Sequence, residues 1–202
     1  MKKIGIMGGT FNPVHNAHLE LAKCAKEQYA LDVVIFMTSG NPPHKKHKDI
    51  PDGELRLEML KLAISDREDF LADDFEVKSE EYSYSVNTMR YLGEKYPQSE
   101  LYFIIGGDSL RSLPKWYKPE ELVKLCKFLV YPRYGADLDD DIYEIVKKYG
   151  GDIYPLHSPV INISSTQIRE KIIKGEDVLD MLPEGVFRYI KEHKLYTEDG
   201  EV

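Results

Sequence analysis

Short β-branched and aromatic runs alternate with helix-spaced apolar repeats along most of this chain, and that alternation limits the fold more than any other feature. Residues 3–7, 33–38, 75–78, 101–105, 128–131 and 153–156 read as six strands. Between them, Leu19, Ala22, Ala25 and Tyr29 recur at helical spacing. So do Leu55, Met59, Leu62 and Ala63, and then Val86, Met89 and Leu92. Strand then helix, repeated, means an α/β parallel sheet with helices on its faces. The crossovers are expected to be right-handed.

The last part of the chain changes character. Ser164-Ser165-Thr166-Gln167 reads as a capping box, with Ser164 as the cap and Gln167 answering it three residues on. The helix it opens is expected to stop at Gly175. Pro183 then falls where a first helical residue belongs, with a short helix running to about His193. This helical extension, residues 164–202, is expected to pack on the sheet within one domain spanning residues 1–202. The segment 40–53, rich in Pro, Lys and His, reads as a loop.

Composition narrows the function classes. With 42% apolar and 31% charged residues the chain can bury a core beneath a solvated surface. Its formal charge of −8 argues against a general grip on nucleic acid, which needs a basic face. The local run His44-Lys45-Lys46-His47-Lys48 is the one gathering of positive groups, and by charge alone it is a solvated loop. Cys24 and Cys126 show neither a disulfide framework nor a zinc pattern. The apolar stretch before Gly8 is too short for a signal peptide or a membrane span, so a cytoplasmic protein with no membrane partner is expected. A homo-oligomer is compatible with everything above.

Two motifs carry chemistry. Gly8-Gly9-Thr10-Phe11-Asn12-Pro13-Val14-His15-Asn16-Ala17-His18 follows the first strand and leads into the first helix. Ligands of open α/β sheets bind at the carboxyl ends of strands. The glycines permit close approach of a phosphate, and the helix start offers N–H groups and positive dipole to an anion. The pattern is neither a Walker loop nor a GxGxxG fingerprint. His15 and His18, three apart, face one side of a helix start and could donate to phosphoryl oxygens. A metal pair is the other reading, with no third ligand nearby. The second motif, Ile163-Ser164-Ser165-Thr166-Gln167-Ile168-Arg169, is either an ordinary capped helix or a second anion site with Arg169 one turn in.

Taken together, GGTFNPVHxxH and ISSTxIR resemble the paired signature of the nucleotidyltransferase superfamily. The resemblance extends over nearly the whole chain to one member family, the bacterial nicotinate-nucleotide adenylyltransferases. Asn41-Pro42-Pro43-His44-Lys45 resembles that family's substrate loop, Ser83-Tyr84-Ser85 its SYT segment, and Gly106-Gly107-Asp108-Ser109 with Trp116 its GxDS…W region. Ala17 stands at the usual HxGH glycine, Ser85 at a threonine and Gly107 at an alanine. None of these removes a functional group, although the Ala17 methyl is a candidate to crowd a phosphate.

The resemblance implies a Rossmann-like, doubly wound fold and transfer of AMP from ATP to nicotinate mononucleotide, giving deamido-NAD and pyrophosphate. ATP, with Mg2+ bound to it, would meet Gly8, Gly9, Thr10, Phe11, His15, His18, Gly106, Asp108, Arg133, Ile163, Ser164, Ser165 and Arg169. The mononucleotide would meet Asn41, His44, Lys45, Ser83, Tyr84, Ser85, Trp116 and Tyr117, with the indole stacked on the pyridine ring. His18, His15 and Arg169 would carry catalysis; no protein-held metal is implied. Competing readings are the same chemistry on nicotinamide mononucleotide or phosphopantetheine, and an ATP-binding regulatory module without turnover. Trp116 and Ser83-Tyr84-Ser85 favour a pyridine acceptor, while His15, His18 and Arg169 favour turnover.

Overall fold

The computed structural model describes residues 1–41, 50–132, 138–159 and 161–197. His44, Lys45 and Arg133 lie outside the described residues. A six-stranded sheet forms the centre: β1 (Lys2–Gly9), β2 (Val33–Thr38), β3 (Phe70–Asp73), β4 (Ser99–Gly106), β5 (Lys127–Tyr131) and β6 (Ile153–Pro155). All pairings are parallel and the order is β3-β2-β1-β4-β5-β6. Strand growth therefore reverses at β1, which pairs with β2 on one side and β4 on the other.

The strands alternate their side chains between two cores, as a period of two requires. Val34, Phe36, Tyr102 and Ile104 face one layer, Ile35, Met37, Phe103 and Ile105 the other. The first layer is covered by α1 (Asn16–Tyr29) and α2 (Gly53–Ala63), through Leu21, Ala25, Leu57 and Leu60. The second is covered by α4 (Ser85–Lys95), α5 (Gly107–Ser112), α6 (Pro119–Leu125) and α7 (Asp139–Tyr149), through Met89, Leu110, Leu122 and Ile145. Right-handed crossovers that reverse direction at β1 must place their helices on opposite faces. The fold is thus the doubly wound, Rossmann-like α/β arrangement the resemblance implied.

Two elements differ from the sequence reading. Residues 75–78 are not a strand but a one-turn helix, α3 (Phe75–Lys78), and the strand lies five residues earlier at β3. The Phe75 N–H donates to the Asp73 carboxylate at 3.0 Å, which turns the chain off the sheet at that point. Pro183 is the cap of α9 (Glu184–Glu192) rather than its first residue. The other C-terminal expectations hold: α8 (Ser165–Ile173) has the Ser164/Gln167 capping box, and Gly175 follows it at φ +70°. Ile168, Val186 and Ile190 of these last helices join the first core layer beside Leu57.

Candidate active site

The reversal at β1 leaves a crevice between the carboxyl ends of β1 and β4, where ligands of doubly wound sheets bind. A cleft of about 250 Å³ opens there. Gly8, Gly9, Thr10, His18, Ser83, Ser85, Gly106 and Trp116 all line it. Segments distant in sequence thus meet at the end of β1, at the start of α4 and at the end of β4.

The glycine turn is built for its neighbours. A Cβ on Gly9 would stand 2.9 Å from Phe11 Cε1, because that ring folds back beneath the turn. Phe11 sits at φ +46°, 2% exposed, and packs edge-on to His18 at 5.1 Å. Its side chain is core, so it can meet a nucleotide only through its backbone. A Cβ on Gly8 would find only ordinary contact with Phe103, so no protein neighbour forces a glycine there. Ala17 is the second residue of α1 and does not line the cleft, so its methyl does not crowd this space.

His18 is oriented by the backbone. The N–H of His15 donates to His18 Nδ1 at 3.2 Å. A neutral imidazole that accepts at Nδ1 carries its proton on Nε2, leaving a donor there on a side chain that lines the cleft. His15 stacks behind it, with ring centroids 3.7 Å apart, and is 5% exposed. It does not line the cleft but packs against His18. Burial lowers the His15 pKa to about 4, and the imidazole is neutral at physiological pH.

That shift has a testable consequence. The unfolded chain takes up this proton near pH 6.5, the folded one only near pH 4. Stability from His15 is therefore full above pH 6.5, falls as the pH drops towards 4, and is level below that. The loss across that window is about 3 kcal/mol. Urea unfolding of the parent and of His15→Gln across the same window should show a shallower pH dependence in the variant. Identical slopes would mean that the imidazole is not held neutral.

The second motif approaches the same turn from behind. Ser165 Oγ donates to the Pro13 carbonyl at 2.9 Å, and Arg169 Nη1 donates to the Asn12 carbonyl at 2.8 Å. Arg169 also reaches Thr166 Oγ1 at 3.4 Å. Neither Ile163, Ser164, Ser165 nor Arg169 lines the cleft itself; Ile163 packs against the first core layer.

Just before α4, Ser83 ties two segments together. Its Oγ accepts from the N–H groups of Gly40 and Asn41 at 3.1 and 3.3 Å, and its own N–H donates to the Asn41 carbonyl at 3.0 Å. Tyr84 caps α4, and its ring meets Tyr117 at 4.7 Å. Tyr117 is exposed and, like Tyr84 and Asn41, outside the cleft lining. Trp116 follows a single 3-10 turn. Its Nε1 donates to Ser112 Oγ at 3.0 Å and its ring packs edge-on against Phe103 at 6.2 Å. It is thus a half-buried wall of the cleft, in the loop between that turn and α6. Asp108 stands in the first turn of α5, largely exposed, 3.2 Å from Arg111, which also pairs with Asp141. It does not line the cleft.

The sequence alone does not single out Glu76, which lines the cleft although only 7% exposed. The Thr88 hydroxyl donates to its carboxylate. Burial raises its pKa, opposed by bonds from Thr88, Ser83 and Ser39. One acidic group thereby joins the end of β2, α3 and the start of α4. The only hint in the sequence is a carboxylate placed between Phe75 and Val77.

Fold and site together define a nucleotide-binding α/β protein of the cytidylyltransferase-like class, and the model of the Cytidylyltransferase-like family matches residues 6–171. Relatives from Clostridium acetobutylicum and Clostridium tetani, each named "Probable nicotinate-nucleotide adenylyltransferase", are 43% and 40% identical. The alignments cover 98% and 97% of this chain and all of each relative. The chain belongs to the nicotinate-nucleotide adenylyltransferase family. The structure of Plasmodium falciparum nicotinic acid mononucleotide adenylyltransferase complexed with APC superimposes with a TM-score of 0.77 at 20% identity, covering 97% of this chain and 98% of that one. That likeness supports the shared fold. No described helix is long and apolar enough to cross a membrane.

Proposed function

We propose that the chain acts as one cytoplasmic adenylyltransferase domain, transferring AMP from ATP to nicotinate mononucleotide. The observation that carries this reading is the convergence of the Gly8-Gly9 turn, His18, the start of α4 and Trp116 on one crevice at the strand reversal. A phosphate oxygen of the mononucleotide attacks the α-phosphorus in line. The bond from that phosphorus to the bridging oxygen breaks, and pyrophosphate leaves with the electron pair. The attacking phosphate is already anionic, so no strong base is required and positioning with charge stabilisation carries the rate.

The His18 Nε2–H donates to the α-phosphate as charge builds. His15 holds that ring in place. Arg169 and the start of α8 support the β- and γ-phosphates from behind the turn. Among the described residues no group of three or more His, Cys, Asp or Glu side chains could hold a metal. Magnesium enters this reading as part of the substrate MgATP. The indole of Trp116 stacks on the pyridinium, worth about 0.5–2 kcal/mol. Lys45 and His44 meet the mononucleotide phosphate, and Arg133 the ATP phosphates.

The first turn of α4, at Ser85, presents N–H groups to an anionic nicotinate carboxylate, an attraction that a neutral carboxamide largely lacks. Incubating the protein with MgATP and a panel of phosphorylated acceptors, and measuring pyrophosphate, tests the whole reading. Nicotinate mononucleotide should exceed nicotinamide mononucleotide by about tenfold or more in kcat/KM. Equal values would remove the acid preference, and release with phosphopantetheine alone would overturn the acceptor.

A further inference from the structure

We propose that Arg56, a buried arginine of α2, is a positioning residue for the polyphosphate site, turning the Phe11 N–H of the glycine turn outward and lending the turn its charge. The inference rests on the reading of that turn as the ATP phosphate site. Arg56 is 1% exposed. Its Nε donates to the Pro51 carbonyl at 2.8 Å and its Nη1 to the Thr10 carbonyl at 2.7 Å. Both partners are neutral, and among the described residues no carboxylate stands within ion-pair distance. A guanidinium keeps its proton in proteins, so a full positive charge sits directly beneath the turn. Burying it costs stability that an apolar side chain of similar size would not. Packing alone does not account for it.

The geometry supplies the reason. In a planar trans peptide the C=O and the following N–H point in opposite directions. Drawing the Thr10 carbonyl inward onto Arg56 turns the Phe11 N–H away from Arg56, on the stretch of turn where Thr10 lines the cleft. Three further donors hold acceptors of the same segment, though at Asn12 no N–H is turned outward, because Pro13 has none. Arg169 holds the Asn12 carbonyl, Ser165 the Pro13 carbonyl, and the Tyr196 hydroxyl the Asn12 Oδ1 at 2.7 Å. Acceptors that would repel a phosphate are withdrawn into the protein. Tyr196 is itself 7% exposed, so residues near the end of the described chain close this network from below.

Arg56→Met removes fork and charge together, and Arg56→Lys keeps the charge but cannot hold both carbonyls. Calorimetric dissociation constants for MgATP and for adenosine, with melting curves and turnover, separate the roles. Arg56→Met should weaken MgATP by about tenfold or more, as loss of a charged hydrogen bond does, and leave adenosine within about twofold. Arg56→Lys should fall between parent and Met, and it decides the question if the Met variant does not fold. Equal weakening of MgATP and adenosine would make Arg56 merely structural and overturn the inference. MgATP affinity at the parental value in the folded variants would overturn it too. A parent that neither binds MgATP nor releases pyrophosphate would bring down the reading of the turn as well.

Discussion

His18→Ala should lower turnover by about 10²–10³ while leaving the fold and the affinity for ATP nearly intact. The His15 N–H at 3.2 Å from His18 Nδ1 fixes the tautomer, and Phe11 and His15 hold the ring from two sides. A donor so held needs no reorganisation when charge rises on the α-phosphate. Its stabilisation therefore grows in the transition state more than in the ground state, which raises turnover rather than affinity. Removing one such donor typically costs about 2.7–4 kcal/mol of barrier. His18→Asn can place an amide near the Nδ1 position but cannot reach as far as Nε2, so it should be nearly as slow. Single-turnover kinetics beside thermal melting would test this. Turnover within about threefold of the parent at unchanged stability would leave positioning alone as the source of the rate.

Sequence periodicity made the central strands β1, β2, β4 and β5 legible because they are largely buried on both faces and read as near-continuous apolar runs. The two motifs were legible because each opens a helix with the residue types that helix starts require. What stayed hidden has physical reasons. α5 has six residues, too few to show a period, and α7 buries only Ile145, too thin a stripe to read. Residues 75–78 imitate a strand because Phe75 and Val77 alternate with Glu76 and Lys78, but the carboxylate of Asp73 breaks the strand before them. Glu76 and Arg56 escaped because a charged residue amid apolar ones is ordinarily read as the solvated side of its element. Here both are buried, and each holds together segments that no local pattern connects. The histidine pair was found by spacing, yet spacing could not show that His15 lies beneath His18.

Gly40→Ala should destabilise the fold by about 3 kcal/mol or more, at the upper end of what overpacking costs. A Cβ at Gly40 would stand 2.0 Å from the Glu76 carbonyl oxygen, 2.8 Å from its carbon and 3.0 Å from Val77 Cα. All three are backbone atoms, so no side chain can swing aside. Either the segment after β2 or α3 must move, and Glu76 with its hydroxyl partners moves too. The Gly40 N–H also donates to Ser83 Oγ at 3.1 Å, so the displacement reaches the acceptor side of the cleft. For a chain of this size the melting temperature should drop by roughly 6–12 °C, with the acceptor KM rising more than that of ATP. Gly93 provides the opposite case within the same protein. It lies inside α4, and a Cβ there meets nothing within 4 Å. Gly93→Ala should therefore gain about 1 kcal/mol from helix propensity, or roughly 2–4 °C. Scanning calorimetry of the two variants decides the matter. A Gly40→Ala protein that melts within about 2 °C of the parent would show that the strand end and α3 can separate at little cost, and that Glu76 does not hold the acceptor side in one arrangement.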